Sequence, residues 1–436
     1  MKKAISLFAS AGIGDIALKH LGYKVLVANE LITERANIFQ HNYPDTVMLN
    51  GDIFTLKDKL VESINEISHG AILDLALVTP PCQGMSKNGR GKLLSEIKKG
   101  NRPKIDPRNL LIFPTLEILK KINVETIIFE NVPEMQNTVL PIGDDVLSII
   151  EIIKKELFDY KVECQVIEMA NHGIPQRRQR LITIATKNKK LKIFSEKFDT
   201  LFPPTTHSKN KSDEKEKWIS VKDIIGNMEK LDGKNYHQSK KDKWHKVTKL
   251  DDRKYWWIKN TKANKSAFDN QCCECGYQEN LTHTSEKDHD GVNKSSLNTP
   301  IYCEKCKALL PRPVTIVNGK PTLMKGFTSA YKRMSYDLPA SAITRNFLYA
   351  CSDNKIHPDQ NRTLSVREAM MLHTISNYPF FEWKTKDGKD AGITAIRDAI
   401  GESVPPKILE IIISHLENIK SDKIKISKSF QEKLFS

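Results

Sequence analysis

The largely apolar run Leu73–Val78 stops at Thr79-Pro80-Pro81 and is followed at once by Cys82-Gln83-Gly84. A short apolar run bounded by residues that cannot continue a ladder reads as a buried strand, and two prolines end it abruptly. Such a strand belongs to a sheet covered on both faces. Its carboxyl end, where open α/β sheets hold their ligands, presents a cysteine. The same alternation recurs around it. Strands are expected at Ala4–Phe8, Lys24–Asn29, Glu125–Phe129, Tyr160–Met169 and Arg180–Thr186, with helices at Ile16–Leu21, Glu34–His41 and Leu110–Lys121. This pattern predicts an α/β, doubly wound parallel sheet over residues 1–190.

At 436 residues the chain is long enough for two units. The alternation breaks down after Thr186, and residues 191–394 read as a second, irregular unit that is polar, Lys-rich and dotted with aromatics. Two prolines at 405 and 406 open a helix carrying Ile408, Leu409, Ile411, Ile412 and Leu416, so residues 395–436 are expected to return to the first unit. No apolar stretch is long enough to cross a membrane. Met1-Lys2-Lys3 and the small apolar run behind it imitate an export signal, but Asp15 interrupts the run and Gly12 and Gly14 fit a turn better. Eight cysteines that include two close pairs suit a reducing compartment, and a cytoplasmic monomer is expected. The net charge of +15 points to a polyanionic partner, and the excess is concentrated in the Lys-rich segment 201–270.

Two acids and a glycine-rich turn frame a cofactor site. Phe8-Ala9-Ser10-Ala11-Gly12-Ile13-Gly14 follows the first strand, where small residues let the backbone approach a ligand. Glu30 ends the second strand, placed to hydrogen-bond ribose hydroxyls, and Asp52 follows the third strand position, placed for an adenine amino group. Either acid alone reads equally well as a helix cap; together they suggest an adenosine-containing cofactor. In the second unit, Cys272/Cys275 and Cys303/Cys306 form two CxxC pairs whose spacing fits a structural, tetrahedral zinc site better than a redox pair. Trp218, Trp244, Trp256 and Trp257 lie among the cations Lys240, Lys241, Lys243, Arg253 and Lys254, a mixture that suits either DNA contact or a small core.

Six elements in order give the chain its resemblance to the cytosine-5 DNA methyltransferases. They are Phe8–Gly14, Pro81-Cys82-Gln83, Glu130-Asn131-Val132, Gln176-Arg177-Arg178-Gln179-Arg180, Arg362-Thr363-Leu364-Ser365-Val366-Arg367-Glu368 and Gly401-Glu402-Ser403-Val404-Pro405-Pro406. Ser10 and Glu402 depart from the family pattern, which has glycine and asparagine there. The resemblance implies S-adenosylmethionine as cofactor, held by Phe8, Ala9, Gly12, Ile13, Gly14, Glu30, Leu31, Asp52, Ile53, Pro80, Leu111, Glu402, Ser403 and Val404. It also implies Cys82 as the nucleophile that adds to cytosine carbon-6. Glu130 would stabilise charge at ring N3, Arg180 would donate to the 2-keto oxygen, and Arg178 would hold Glu130 or the neighbouring loop. Double-stranded DNA is the implied partner, its target base flipped out of the stack. Contacts are expected from Gln83, from Ser86, Lys87 and Arg90 in a loop over residues 84–108, and from Lys240, Lys241, Lys243 and Arg345 in the second unit, which would recognise the target sequence. A restriction-modification role beside a cognate restriction endonuclease is implied in the same way. An RNA cytosine-5 methyltransferase and a catalytically silent DNA-binding module are the alternatives; the Pro-Cys-Gln nucleophile and the basic insert oppose the first, and intact Cys82, Glu130 and Arg180 oppose the second.

Overall fold

The computed structural model describes residues 1–81, 106–143, 145–282, 285–287, 293–296, 298–324 and 329–424. Seven strands form the main sheet: β1 (Lys2–Leu7), β2 (Tyr23–Glu30), β3 (Val47–Asn50), β4 (Leu73–Val78), β5 (Val124–Asn131), β6 (Lys161–Glu168) and β7 (Gln179–Thr186). Their order is β3-β2-β1-β4-β5-β7-β6. The first five are parallel, with Ser6 opposite both Ala28 and Leu77, and Val78 opposite Phe129. The expectation of an all-parallel sheet is corrected here, because β7 runs antiparallel to both β5 and β6. The reason is the link between β6 and β7: residues 169–178 make one turn of 3-10 helix and a short bridge, whereas a parallel return needs a crossover of a dozen or more residues.

Helices cover both faces. On one side lie α3 (Ile53–Ser68), α4 (Ile112–Lys121) and α5 (Ile149–Glu156), which bury Leu60, Ile64, Leu116, Leu119, Ile150 and Ile153 against Ile5, Val27, Val78 and Ile127. On the other lie α1 (Asp15–His20), α2 (Thr33–Asn42), α6 (Lys189–Phe198) and a late helix at Pro406–Lys420. Leu18, Leu191, Phe194, Leu201, Phe202, Ile408, Leu409, Ile412 and Leu416 form one core there with Val25, Leu75 and Ile184. That core therefore runs past residue 190 to Phe202. It takes in the late helix, whose Glu417 accepts from the Tyr23 hydroxyl at 2.8 Å and pairs with Lys2 at 2.9 Å. Among the described residues no helix is long and apolar enough to cross a membrane.

The remaining segment has its own small core of Trp257, Ile258, Phe268, Tyr331 and Ile356, so Trp257 is a packing residue. It contains short strand pairs and much irregular backbone, which leaves many carbonyls without ladder partners. Buried arginines supply the donors. Arg333 donates to the carbonyls of Thr261, Ile258, His357 and Gln360, and Arg312 to those of Asn270, Leu281 and Pro300. Arg362 makes a bidentate pair with Glu368 at 2.7 Å on both oxygens, neither side chain exposed. Glu368 also closes a capping box with Ser365 at the start of the helix Val366–Leu372. Burial works against the Glu368 carboxylate, but Arg362 overrides it and holds the group down to about 2. A depressed folded value contributes stability that is present above the unfolded value of 4.5 and is lost as pH falls toward 2. Glu368→Gln should cost about 3–5 kcal/mol at neutral pH by leaving Arg362 buried without its anion. It should also flatten the decline of stability between pH 4.5 and about 2, as read by urea unfolding at stepped pH.

Candidate active site

The carboxyl ends of β1, β2, β4 and β5 open on a cavity of about 580 Å³. Thirteen of the fourteen expected cofactor residues line it: Phe8, Ala9, Ile13, Gly14, Glu30, Leu31, Asp52, Ile53, Pro80, Leu111, Glu402, Ser403 and Val404. Gly12 does not. Its φ is +81°, its carbonyl accepts from the Tyr43 hydroxyl at 2.7 Å, and a Cβ there would sit 2.4 Å from the Tyr43 ring. Gly12 is a packing glycine under the turn. Ser10, which stands where the family has glycine, takes φ +49°, a left-handed conformation that glycine adopts at less cost.

The acids are held by backbone amides. Glu30 accepts from the amides of Ser10 and Ile32, each at 2.8 Å, and burial raises its pKa. Asp52 caps α3 by accepting from the Phe54 amide at 2.9 Å, so it serves the helix and lines the cavity at once. Glu402 is flanked by two arginines, Arg35 at 2.7 Å and Arg345 at 3.1 Å, which answers the charge this departure introduces. Arg35 was not singled out from sequence; its signal is a lone base one turn into the helix that follows Glu30, in an acid-lined site.

Glu130 ends β5 beside Pro80. Asn131 donates to the Pro80 carbonyl at 2.7 Å and accepts from the Val132 amide at 2.8 Å, locking the ends of β4 and β5 together. Arg180 Nε meets Glu130 Oε1 at 2.8 Å, and both side chains are largely buried. Burial raises the Glu130 pKa, with Arg180 and Arg178 opposing the rise. Arg178, expected to hold Glu130 or its loop, acts on Glu130 through its charge and makes its hydrogen bonds elsewhere. Its guanidinium donates to the carbonyls of Ile343 at 2.8 Å, Gly401 at 3.0 Å and Ser403 at 2.7 Å. Burial lowers its pKa to about 9. Gly401 makes this possible, since a Cβ there would lie 2.1 Å from the Arg345 amide nitrogen. Cys82, Gln83, Ser86, Lys87 and Arg90 lie outside the described residues.

In the second unit Lys240, Lys241 and Lys243 are exposed, and Lys243 pairs with Asp390 at 2.6 Å. Arg345 is exposed at the edge of the cavity through its contact with Glu402. The four cysteine sulfurs converge: Cys272 lies 3.6 Å from Cys306 and from Cys275, Cys275 lies 3.7 Å from Cys303, and all four sulfurs fall within 4.8 Å.

The model of the C-5 cytosine-specific DNA methylases matches residues 2–418. The chain belongs to that family. It is a DNA (cytosine-5-)-methyltransferase, and its methyl donor is S-adenosylmethionine. The type II methyltransferase M1.HgaI of Avibacterium volantium is 29% identical over 431 residues, covering 96% of this chain and 99% of the relative. A tRNA (cytosine(38)-C(5))-methyltransferase of Spodoptera frugiperda is 27% identical over 43% of this chain and 50% of its own length. The crystal structure of the S. pombe Dnmt2 methyltransferase shares the fold at TM-score 0.52 and 14% identity, covering 97% of this chain and all of that one. In this methyltransferase the three-carbonyl clamp of Arg178 is a demand on shape as well as charge. Lysine's three donors radiate from a single nitrogen and cannot span the two nitrogen positions from which the guanidinium meets these carbonyls. Arg178→Lys should therefore lower stability by about 3 kcal/mol or more in urea unfolding.

Proposed function

We propose that Cys82 adds as a thiolate to carbon-6 of a flipped-out cytosine, which gives carbon-5 the electron density it needs to accept a methyl group; loss of the carbon-5 proton then restores the ring double bond and expels the thiolate. Glu130 meets ring N3, and burial raises the pKa of its carboxyl against the pull of Arg180 and Arg178. Arg180 holds that carboxyl and turns its remaining donors to the 2-keto oxygen. Arg178 acts as a positioning residue. The observation that carries this reading is the Glu130–Arg180 pair beside Pro80, two residues from Cys82, in the same cavity as Glu30 and Asp52. That cavity lies within the ~300–1,000 Å³ of ordinary small-molecule clefts, and its acids suit a ribose diol and an adenine amino group. S-adenosylmethionine bound there supplies the methyl group; the chain's own residues orient it and the base.

Residues from 203 onward, up to the return near 394, form the target-recognition unit in this reading, with Lys240, Lys241, Lys243 and Arg345 meeting phosphates together with Gln83, Ser86, Lys87 and Arg90. The four cysteines hold a structural zinc ion. Their sulfur separations fit a tetrahedron with bonds of about 2.3 Å, whose edges are ~3.8 Å. The protein acts as a cytoplasmic monomer and protects its target sequence beside a cognate restriction endonuclease.

Bisulfite sequencing of DNA from cells expressing the protein should show 5-methylcytosine at one sequence, and transfer of labelled methyl to RNA but not DNA would overturn the reading. Cys82→Ser should abolish transfer, at least 10³-fold, and duplex DNA carrying 5-fluorocytosine should trap the wild type covalently. For the metal, elemental analysis of reduced protein should find one zinc per chain. Cys303→Ala should lose it together with DNA binding while keeping cofactor binding; metal-free protein with normal DNA binding would leave the four cysteines without a metal.

A further inference from the structure

A second cavity lies across the start of β7 from the first. Arg178 and Arg180 turn to Ile343 and Glu130. Side chains alternate along extended backbone, so Arg177 and Gln179 face the other way. There, with Glu168, Asn264, Ser341 and Asp353, they line a cleft of about 420 Å³ between the end of the sheet and the second unit. Glu168 stands opposite Gln179 at the ends of β6 and β7, and Ser341 stands opposite Arg177. The reaction scheme above uses none of these side chains.

The cleft is open and its donors are idle. Arg177, Gln179, Asn264 and Asp353 are all exposed. The Arg177 guanidinium lies 5.7 Å from the centre of the Trp218 ring, itself anchored by its Nε1 donating to Asn171 at 2.9 Å. No hydrogen bond or ion pair with another described residue engages that guanidinium. Asn264 takes φ +62° in a tight turn between the exposed Lys262 and Lys265, closed by the Lys265 amide on the Lys262 carbonyl at 3.1 Å. Its side-chain amide has no partner among the described residues either.

The charges select the ligand. Glu168 and Asp353 oppose an anion inside the cleft, whereas the lysines flanking Asn264 attract one outside it. Cations around neutral donors suit a duplex, which offers phosphates to the rim and a base edge to the interior. An arginine fork and an asparagine amide both match the major-groove edge of a purine, where guanine and adenine alike carry the N7 acceptor. The spacing agrees. Ala342 lines this cleft, and Arg345 meets Glu402 at the edge of the first cavity. The backbone between them spans at most ~11 Å, about three nucleotide steps of ~3.4 Å.

We propose that the cleft of Arg177 and Asn264 reads the N7 edge of a purine within about three steps of the target cytosine, a role that rests on the second unit being the recognition unit. The test uses duplexes of the target sequence that bisulfite sequencing returns, each with one purine replaced by its 7-deaza analogue, which pairs normally and lacks N7. Binding is read by fluorescence anisotropy at fixed salt. For the wild type, one such replacement should weaken binding at least fivefold. Asn264→Gly, which keeps the left-handed backbone, should bind the unmodified duplex at least fivefold more weakly and respond less than twofold to that replacement. Arg177→Gln should behave alike, and both variants should bind S-adenosylhomocysteine within twofold of the wild type.

Indifference of the wild type to every 7-deaza duplex would overturn the proposal, and this comparison needs no variant to fold. Full sensitivity retained by both variants would place the reading contact elsewhere and refute it. Equal weakening on all sequences, with a shallower salt dependence, would make the two residues phosphate contacts and refute it too. If the wild type showed no sequence preference in binding or methylation, the recognition reading itself would fall, and this proposal with it.

Discussion

The candidate site exists as one cavity because Arg178 ties three distant stretches of backbone together. The residue stands immediately before β7, while Ile343 arrives from the second unit and Gly401 and Ser403 from the end of the helix Ile393–Glu402. None of these carbonyls has a strand partner to satisfy it, and a single guanidinium meets all three. Two neighbouring facts depend on this clamp. Ser403 and Val404 can form one wall of the cavity only if residues 401–403 are held against β7, and Arg345 can reach Glu402 only because Gly401 has no side chain to keep the two segments apart.

The same device recurs throughout the irregular unit. Arg312, Arg333 and Arg362 are all buried, and the first two bind carbonyls that a regular sheet would have paired. Arg312 joins residues 270, 281 and 300, which bracket the first cysteine pair and approach the second, so the guanidinium fixes the stretch of loop that carries the cysteine cluster. This changes the meaning of the chain's positive charge. Part of the arginine content that reads as a surface for polyanions is internal scaffolding, while the exposed lysines at 240, 241 and 243 remain on the surface.

Strand positions were legible because burial on both faces leaves a continuous apolar signature; Leu73–Val78 has the same limits in sequence and structure. Strand direction was not, since side-chain alternation is blind to polarity and only the short 169–178 link reveals the reversal at β7. Glycines divided in the same way. Gly14 lines the cavity as its place in the turn suggests, but the demand on Gly12 comes from Tyr43, about thirty residues on, and no local pattern carries that. The roles of Arg178 and Arg180 look interchangeable in the string Gln-Arg-Arg-Gln-Arg. Alternation puts positions 178 and 180 on one face and cannot tell them apart; Arg180 lies close enough to the end of β5 to meet Glu130, and the packing of residues 343 and 401–403 decides what Arg178 meets. The partners of Glu402 were hidden because one lies in the helix after β2 and the other in the second unit.

The helix Pro406–Lys420 covers the sheet that begins at Lys2, and this has a consequence for synthesis. During translation the apolar side of β1 and β2 waits for Ile408, Leu409 and Ile412 while some 400 further residues are made, on the order of 20–80 s at ~5–20 residues per second. Over that interval the emerging chain exposes a surface that aggregation or a chaperone can claim, and its cofactor pocket lacks Ser403 and Val404. A ribosome-bound chain of this protein is therefore without a finished pocket until the whole irregular segment between residues 203 and 394 has been made.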